Sequence, residues 1–310
     1  MPSYHSYNIF DDTLPTMPAS QIFRRLAGLS GSVVSARSRA IHSGRTMVRN
    51  CIVGRPLLAG MQDPHFKARF VDVPAILADW FQPHRRIDGA SILDFGCGEG
   101  VTALGMALGF SPRRVVGVDI MPDPERCLDV AKKNLSLESL PTNLELHRVE
   151  PGRLHDAAER FDLAYSWSVF EHVDQELLDH SLSMIHAALH PGGLFLVQIA
   201  PLYHSAEGAH LSHVIPEPWA HLRMQENRLE DRVRRATANP EEAQAWWSTY
   251  CTLNKITHQS LLARVRGAGF EVLRTFTTRQ DLAPPAELLE VFQLDALLTN
   301  QVVLLARRAI

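Results

Sequence analysis

Residues 92–100, ILDFGCGEG, decide the fold of this chain together with residues 115–119, VVGVD. Two short apolar runs flank a glycine-rich turn and a segment with helical spacing, which is the pattern of a βαβ unit. Asp119 ends the second run about 20 residues after the glycines, the distance typical of a carboxylate that binds ribose. Because glycines let the backbone approach a ligand closely, the pattern predicts a site for an adenosine-type cofactor.

The spacing of the glycines indicates which cofactor this is. The NAD fingerprint needs a glycine where Val101 stands, and no Lys-Ser/Thr pair follows the turn as a P-loop requires. Asp94 stands before the turn and Glu99 within it, so negative charge would repel a pyrophosphate and attract a cation. S-adenosylmethionine (SAM) carries a sulfonium and an ammonium group and no phosphate, so the turn favours SAM over NAD.

Four further motifs follow in the same order as in a known family. They are FDLAYS at 161–166, SVFEHV at 168–173, LHPGGLFL at 189–196 and GAGFEV at 267–272. With the glycine turn, they make about residues 88–310 resemble the class I SAM-dependent methyltransferases, in the branch that acts on small molecules. The resemblance implies methyl transfer from SAM, most simply to a hydroxyl oxygen of a small molecule.

The alternation of strands and helices predicts an α/β fold. We expect a doubly wound, mostly parallel, seven-stranded Rossmann-like sheet with a helical cap inserted between strands five and six, over 200–257. A helix over 66–82 precedes the sheet, and in the resembled family the last strand is antiparallel. The predicted strands are 91–94, 115–119, 144–149, 161–166, 194–199, 270–276 and 302–307, and the predicted helices are 101–110, 124–137, 175–189 and 286–298.

Residues 1–60 differ in composition from the rest of the chain. They are rich in arginine and serine, and no acidic residue occurs between Asp12 and Asp63. We expect a poorly ordered N-terminal extension, followed by a methyltransferase domain over 61–310. The same composition resembles an organellar transit peptide, which is the alternative.

The net charge, hydropathy and cysteine content of the chain limit which partners and which cellular compartment we expect. The net charge of −3 gives no reason to expect nucleic acid, and no apolar run approaches the ~20 residues needed to span a bilayer. The four cysteines form no CxxC pair, which indicates reduced thiols. We therefore expect a cytoplasmic protein, or an organellar matrix protein if the extension is a transit peptide. The oligomeric state stays open.

Parallel sheets bind ligands at the carboxyl ends of their strands, so we expect the cofactor there. The resemblance adds that an acid after strand three, here Glu150, lies near the adenine amine. The expected cofactor-binding residues are Asp94, Gly96, Cys97, Gly98, Asp119, Ile120, Glu150 and Ser166.

A hydroxyl acceptor needs a base that removes its proton, and histidine suits this role with a pKa near 6–7. The resemblance places His172 beside the methyl site, at the start of the segment after strand four. The loop after strand five, residues 203–213, adds four more candidates. The expected catalytic residues are His172, His210, His204, His213 and Tyr203.

Several alternatives stay open at this point. A metal site from His204, His210, His213 and a carboxylate meets no standard ligand spacing, and Ser168 replaces a glutamate that binds metal in related quinone-pathway enzymes, so no metal is expected. The acceptor can instead be a sulfur or nitrogen atom, or RNA or protein. A regulator that binds SAM without catalysis is a further possibility. Four aromatic residues, Trp219, Trp246, Trp247 and Tyr250, either line a substrate pocket or form a small core.

Overall fold

The structure, a computed structural model, describes residues 63–309 of the 310-residue chain. The expected extension over residues 1–60 lies outside the described residues and stays a prediction, as does the domain boundary at residue 61.

Within the described part of the chain, seven β-strands form one sheet. In chain order they are β1 (Ser91–Phe95), β2 (Arg114–Asp119), β3 (Leu144–Arg148), β4 (Phe161–Trp167), β5 (Leu189–Ile199), β6 (Phe270–Arg279) and β7 (Thr299–Arg308). Their order in the sheet is β3-β2-β1-β4-β5-β7-β6. β1 pairs in parallel with β2 and β4, and β2 with β3, whereas β6 and β7 are antiparallel. The predicted mostly parallel Rossmann-like sheet and its antiparallel last strand are therefore confirmed.

Helices connect the strands. They are α1 (Pro64–Lys67), α2 (Val73–Phe81), α3 (Val101–Gly109), α4 (Cys127–Leu135), α5 (Leu178–Ala188), α6 (Ala220–Arg223), α7 (Glu226–Ala236), α8 (Pro240–Cys251), α9 (His258–Gly267), α10 (Ala286–Leu289) and α11 (Leu294–Leu298). A π-helical turn, Ala68–Asp72, joins α1 to α2, and the 3₁₀ turns Asp123–Arg126 and Gln175–Leu177 precede α4 and α5. The helix predicted over 66–82 is thus present as three consecutive segments.

The described chain divides into two compact units. The N-terminal unit holds residues 63–165 and 188–194, and the C-terminal unit holds residues 166–187 and 195–309. In the N-terminal unit, the apolar residues of β1 and β2 are buried, except for Phe95 at the end of β1, which is partly buried. α3 packs directly on the π-helical turn at Gly105. The backbones are so close there that a Cβ at this position would lie only 2.2 Å from the carbonyl oxygen of Phe70.

The C-terminal unit contains the helices expected between strands five and six. Leu229 and Val233 of α7 pack with Trp246, Trp247 and Tyr250 of α8 in one buried cluster. Trp219 is also buried, at 2% exposed. These aromatic residues are therefore core residues of the inserted segment, as expected for burial of large rings. That the segment covers a substrate stays a prediction.

Several element boundaries differ from those predicted. β5 starts at Leu189 rather than 194, because the strand includes the Pro-Gly-Gly sequence, where Gly192 has a left-handed φ of +75°. The helix predicted over 286–298 is split into α10 and α11. The helix predicted over 124–137 begins as a 3₁₀ turn that already includes Asp123, whose carboxylate faces Arg126 at 3.6 Å.

Candidate active site

The backbone of the glycine turn is held by the end of β2. The N–H groups of Gly96 and Cys97 donate to the carbonyl oxygen of Val118 over 2.9 and 3.1 Å. Gly96, Gly98 and Gly100 have φ angles of +81°, +52° and +73°, a region that residues with a Cβ adopt rarely. A Cβ built at Gly98 meets nothing within 4 Å, whereas one at Gly100 would lie 2.5 Å from a neighbouring side chain. The turn is therefore open to a ligand at Gly98.

Asp119 lies beside this opening and orders the turn. Its Oδ2 accepts a hydrogen bond from the Gly98 N–H at 2.8 Å, and its Oδ1 accepts one from the Met121 N–H at 2.9 Å. A carboxylate oxygen has two lone pairs, so each oxygen can accept one further bond from a ribose hydroxyl. Ile120 and Met121 are 50% and 37% exposed, which places an apolar surface next to the carboxylate.

Asp94, at the carboxyl end of β1, is a buried carboxyl group. It is 3% exposed, and its Oδ2 accepts a hydrogen bond of 2.8 Å from the Tyr165 hydroxyl. Burial raises the pKa of Asp94 to about 7, while the Tyr165 bond and the charge of Arg69 act in the opposite direction. The group is therefore balanced between its neutral and charged forms near neutral pH, and a cation beside it would favour the charged form.

Glu99, expected from the sequence to attract a cation, is paired with an arginine. An ion pair of 3.0 Å joins the Glu99 carboxylate to Arg126, which also lies 3.6 Å from Asp123. Because this arginine offsets part of the charge of Glu99, the electrostatic preference for a cationic ligand depends mainly on Asp94 and Asp119.

The other expected cofactor residues lie in different surroundings. Cys97 is nearly buried, and burial raises the pKa of its thiol, so it forms a neutral wall of the turn. Glu150 is exposed just after β3. Ser166 is fully buried within β4 and belongs to the C-terminal unit. The assignments of Ile120, Glu150 and Ser166 to the cofactor stay predictions.

His172 and His210, two of the expected catalytic residues, are in contact. Their rings are edge-on, with centroids 5.4 Å apart and planes at 89°. His172 Nδ1 lies 2.7 Å from the Thr252 hydroxyl oxygen. His210 is 3% exposed with φ +58°, and its Nε2 lies 3.0 Å from the carbonyl oxygen of Pro201. Since a carbonyl oxygen only accepts, the His210 Nε2 carries the proton.

Both histidines are held in their neutral form. Burial lowers the pKa of His172 to about 3, and the neighbouring His210 acts in the same direction. Burial lowers the pKa of His210 to about 4, against the effect of its bond to Pro201. The titration expected near pH 6–7 from the sequence is therefore wrong for this pair, because desolvation disfavours the charged ring.

The three other candidate catalytic residues, Tyr203, His204 and His213, each contact a different aromatic residue. Tyr203 belongs to the buried cluster of the inserted segment, with its hydroxyl 3.4 Å from that of Tyr250. The His204 ring lies 5.4 Å from the Phe292 ring, and burial lowers the pKa of His204. His213 is exposed, and its ring lies against that of Trp246, with centroids 3.8 Å apart and planes tilted at 51°. Catalytic roles for these residues stay predictions.

Sequence reasoning missed several residues that shape these sites. Tyr165 and Arg69 act on Asp94, and the Tyr165 contact follows from the register of β1 with β4. Thr252 contacts His172, and His221 Nε2 donates to the Tyr203 carbonyl oxygen at 2.6 Å. Asn254 is buried just after α8, where a side-chain amide normally satisfies backbone groups, but this burial could not be predicted from the sequence.

The alternative metal site is not assembled. His210 is buried whereas His213 is exposed. Between residues 63 and 309 no group of three histidine, cysteine, aspartate or glutamate side chains is placed to hold a metal ion.

The inserted loop also lines a cavity of about 200 Å³. Its walls are mainly apolar, and buried His221 is among its polar members. The apolar wall residues include Ala206, Ala209, Leu211, Ile215, Leu229 and Leu282.

Comparison with known families identifies the chain. A family model described as "Methyltransferase domain" matches residues 68–275, which include the glycine turn, β1 to β5 and the start of β6. The chain belongs to the class I SAM-dependent methyltransferases. SAM is therefore the cofactor, and the open glycine turn with two carboxylates beside it fits this cationic ligand.

Individual relatives of this methyltransferase are distant. An uncharacterised protein of Rickettsia prowazekii is 26% identical over 131 residues, which are 42% of this chain and 49% of that protein. The match thus spans about half the length of this curated relative. A provisionally named sarcosine dimethylglycine methyltransferase of Galdieria sulphuraria shares the fold, with a TM-score of 0.50, 14% identity and coverage of 87% of this chain and 98% of that one.

A second solved structure is a SAM-dependent methyltransferase of Mesorhizobium loti. It has a TM-score of 0.47 and 19% identity, and the comparison covers 74% of this methyltransferase and 98% of that chain.

Over residues 63–309, no helix has the length and apolar character needed to cross a membrane.

We expect the SAM affinity of this methyltransferase to rise with pH. Below pH 7 the Asp94 carboxyl must lose its proton to face a cation, so the Kd should fall about tenfold per unit from pH 5.5 to 6.5 and level off above pH 7. Calorimetry across this range measures the effect. Asp94→Asn should bind more weakly at pH 7.5 and lose the slope. A wild-type Kd that is constant over this range would contradict the assignment of Asp94.

Proposed function

We propose that this chain transfers the methyl group of SAM to a hydroxyl oxygen of a small molecule. The observation that carries the proposal is the glycine turn, which is open at Gly98 and lies beside the carboxylates of Asp94 and Asp119. This arrangement occurs in a chain that the family match places among the methyltransferases.

Four of the expected cofactor-binding residues have a proposed role in holding SAM. Asp119 accepts hydrogen bonds from the ribose hydroxyls, for which its two oxygens have free lone pairs. The exposed side chain of Ile120 covers one face of the adenine, and Glu150 accepts from the adenine amine. Asp94 balances the positive charge of the cofactor in a water-poor environment, where a charge has a larger effect than at the surface.

The acceptor side of the reaction requires positioning and proton removal. Bound SAM supplies an electrophilic methyl group, and the electron pair of the broken carbon–sulfur bond stays on sulfur. Holding the acceptor in line supplies part of the rate enhancement. As the new oxygen–carbon bond forms, the hydroxyl proton must pass to a base. We propose His172 as this base, with His210 packed against it.

Two features support a small and partly apolar acceptor. The loop over residues 203–213 lines a cavity of about 200 Å³, although His204, His210 and His213 are not among its lining residues. This cavity is smaller than the ~300–1,000 Å³ typical of drug-sized ligands. Its wall is apolar apart from a few groups such as His221, so a compact molecule with few polar groups fits it best.

Binding and transfer experiments test the proposal directly. Calorimetry with the full chain should show that SAM and its demethylated product bind, and that NAD binds much more weakly. Methyl-labelled SAM, incubated with fractions of a metabolite extract, should label a low-molecular-weight product whose NMR spectrum shows an O-methyl group. The same incubation with the Asp119→Ala protein is the control and should give little label.

Different failures point to different functions. NAD binding as tight as SAM binding would contradict the cofactor assignment. Label that appears only in RNA or protein would replace the small-molecule acceptor with a macromolecule. Tight SAM binding without transfer to any fraction would favour the non-catalytic regulator.

A further inference from the structure

The hydrogen bonds of Thr252 determine where its single hydroxyl proton lies. Thr252 ends α8, and its Oγ1 lies 2.7 Å from the carbonyl oxygen of Thr249. A carbonyl oxygen can only accept a hydrogen bond, and a threonine hydroxyl has one proton to donate. The Thr252 hydroxyl therefore donates to Thr249, and its own oxygen remains an acceptor.

The same oxygen lies 2.7 Å from Nδ1 of His172. Since the hydroxyl proton is already used, this short contact is a hydrogen bond only if the imidazole donates it. A neutral imidazole carries one proton on its two nitrogens, so a proton on Nδ1 leaves Nε2 with a free lone pair. Burial keeps this ring neutral at working pH, because it lowers the pKa of His172 to about 3.

The backbone around His172 is also fixed by the segment that carries Thr252. The N–H of Asn254 donates to the carbonyl oxygen of Glu171 at 2.9 Å. The Asn254 side-chain amide donates to the carbonyl oxygens of Phe170 and Val173, at 2.6 and 2.7 Å. Three hydrogen bonds from one buried residue thus hold both sides of His172, so its ring is placed against Thr252 by the fold.

We propose that Thr252 is a positioning residue that selects the Nδ1-protonated tautomer of His172. Nε2 is then the ring atom that removes the hydroxyl proton of the methyl-accepting substrate. The proposal rests on the proposed methyl transfer for its catalytic part, and on hydrogen-bond geometry alone for the tautomer. In a histidine, the tautomer is set by the hydrogen bond that the other ring nitrogen makes. Without Thr252, the proton would be free to move to Nε2, and the base would be blocked.

Nitrogen NMR measures the tautomer without any substrate. The full chain is labelled with ¹⁵N in the histidine rings, and His172 is assigned by the signal that His172→Gln removes. At pH 7 the wild-type protein should show His172 protonated on Nδ1. Thr252→Val should shift the ring towards protonation on Nε2, and Thr252→Ser, which keeps the hydroxyl, should retain the wild-type pattern.

Thr237 provides a matched control. It ends α7 as Thr252 ends α8, and its hydroxyl donates to the carbonyl oxygen of Val233 at 2.9 Å. Thr237→Val should therefore cost a similar terminal hydrogen bond and leave the His172 signals unchanged. We expect the melting temperature to change by a similar amount in Thr252→Val and Thr237→Val, and the His172 tautomer to change only in Thr252→Val. That result would show that Thr252 positions the proton of His172 independently of its effect on stability.

Turnover measurements test the catalytic part of the proposal separately from the tautomer assignment. With a methyl acceptor in hand, Thr252→Val should lower kcat about 10- to 100-fold with the SAM Kd unchanged, and Thr252→Ser should restore it. Wild-type His172 protonated on Nε2, or an unchanged pattern in Thr252→Val, would overturn the tautomer assignment. The expected tautomers without turnover on any acceptor would overturn the proposed function while supporting the assignment.

Discussion

Replacement of Asp119 by alanine is expected to weaken SAM binding by about 1–3 kcal/mol, or about 5- to 150-fold in Kd. The ribose hydroxyls lose a charged acceptor, and the N–H groups of Gly98 and Met121 lose the partner that orders the turn. Calorimetry with the full chain at pH 7.5 measures the loss.

The control for this prediction is another acidic residue of the same unit. Asp129 is exposed on α4, so Asp129→Ala makes the same change in net charge away from the turn and should leave the Kd within about twofold. An unchanged Kd in correctly folded Asp119→Ala would mean that another group binds the ribose.

Replacement of His172 by glutamine is expected to lower turnover about 100-fold or more, with SAM affinity nearly unchanged. Glutamine keeps a side-chain amide that can donate to Thr252, so the change removes the base more than the local structure. Turnover and SAM binding are measured separately, and His180→Gln on the exposed surface of α5 is the control.

The pH dependence of wild-type kcat is a second test of His172 as the base. Because burial lowers the pKa of His172 to about 3 and of His210 to about 4, both rings stay neutral from pH 6 to 8. A histidine with a lowered pKa loses its base function only as the pH falls through that value. Any change in kcat between pH 6 and 8 should therefore come from other groups. Near-normal turnover of His172→Gln would indicate an acceptor that needs no base, such as a thioether, a thiolate or a neutral amine.

Much of the fold could be predicted because its signals are local. The apolar runs that form β1 and β2, the glycines between them and Asp119 all lie within 28 consecutive residues. Periodicity and turn chemistry of this kind do not depend on distant contacts. The start of β5 was mispredicted because a Pro-Gly-Gly sequence usually marks a turn, whereas here it lies within the strand, with Gly192 at φ +75°.

The charge state of the site could not be predicted in the same way. Glu99 is adjacent to the glycines, but its ion pair with Arg126 comes from the next α/β segment. Asp94 was expected to be a simple carboxylate, yet burial and Tyr165, 71 residues away, set its protonation. The histidines of the 203–213 loop were grouped because they lie in one segment after strand five, whereas the fold buries His210 and exposes His213.

The sequence by itself determined the class of fold, the position of the cofactor turn and the carboxylate expected to bind ribose, because these follow from short-range backbone geometry and the order of elements. Only the tertiary structure decided that Asp94 is buried beside Tyr165 and that His172 donates to Thr252, 80 residues later in the chain. Ionisation and tautomer depend on desolvation and on hydrogen-bond partners. Both are properties of packed neighbours rather than of neighbours in sequence.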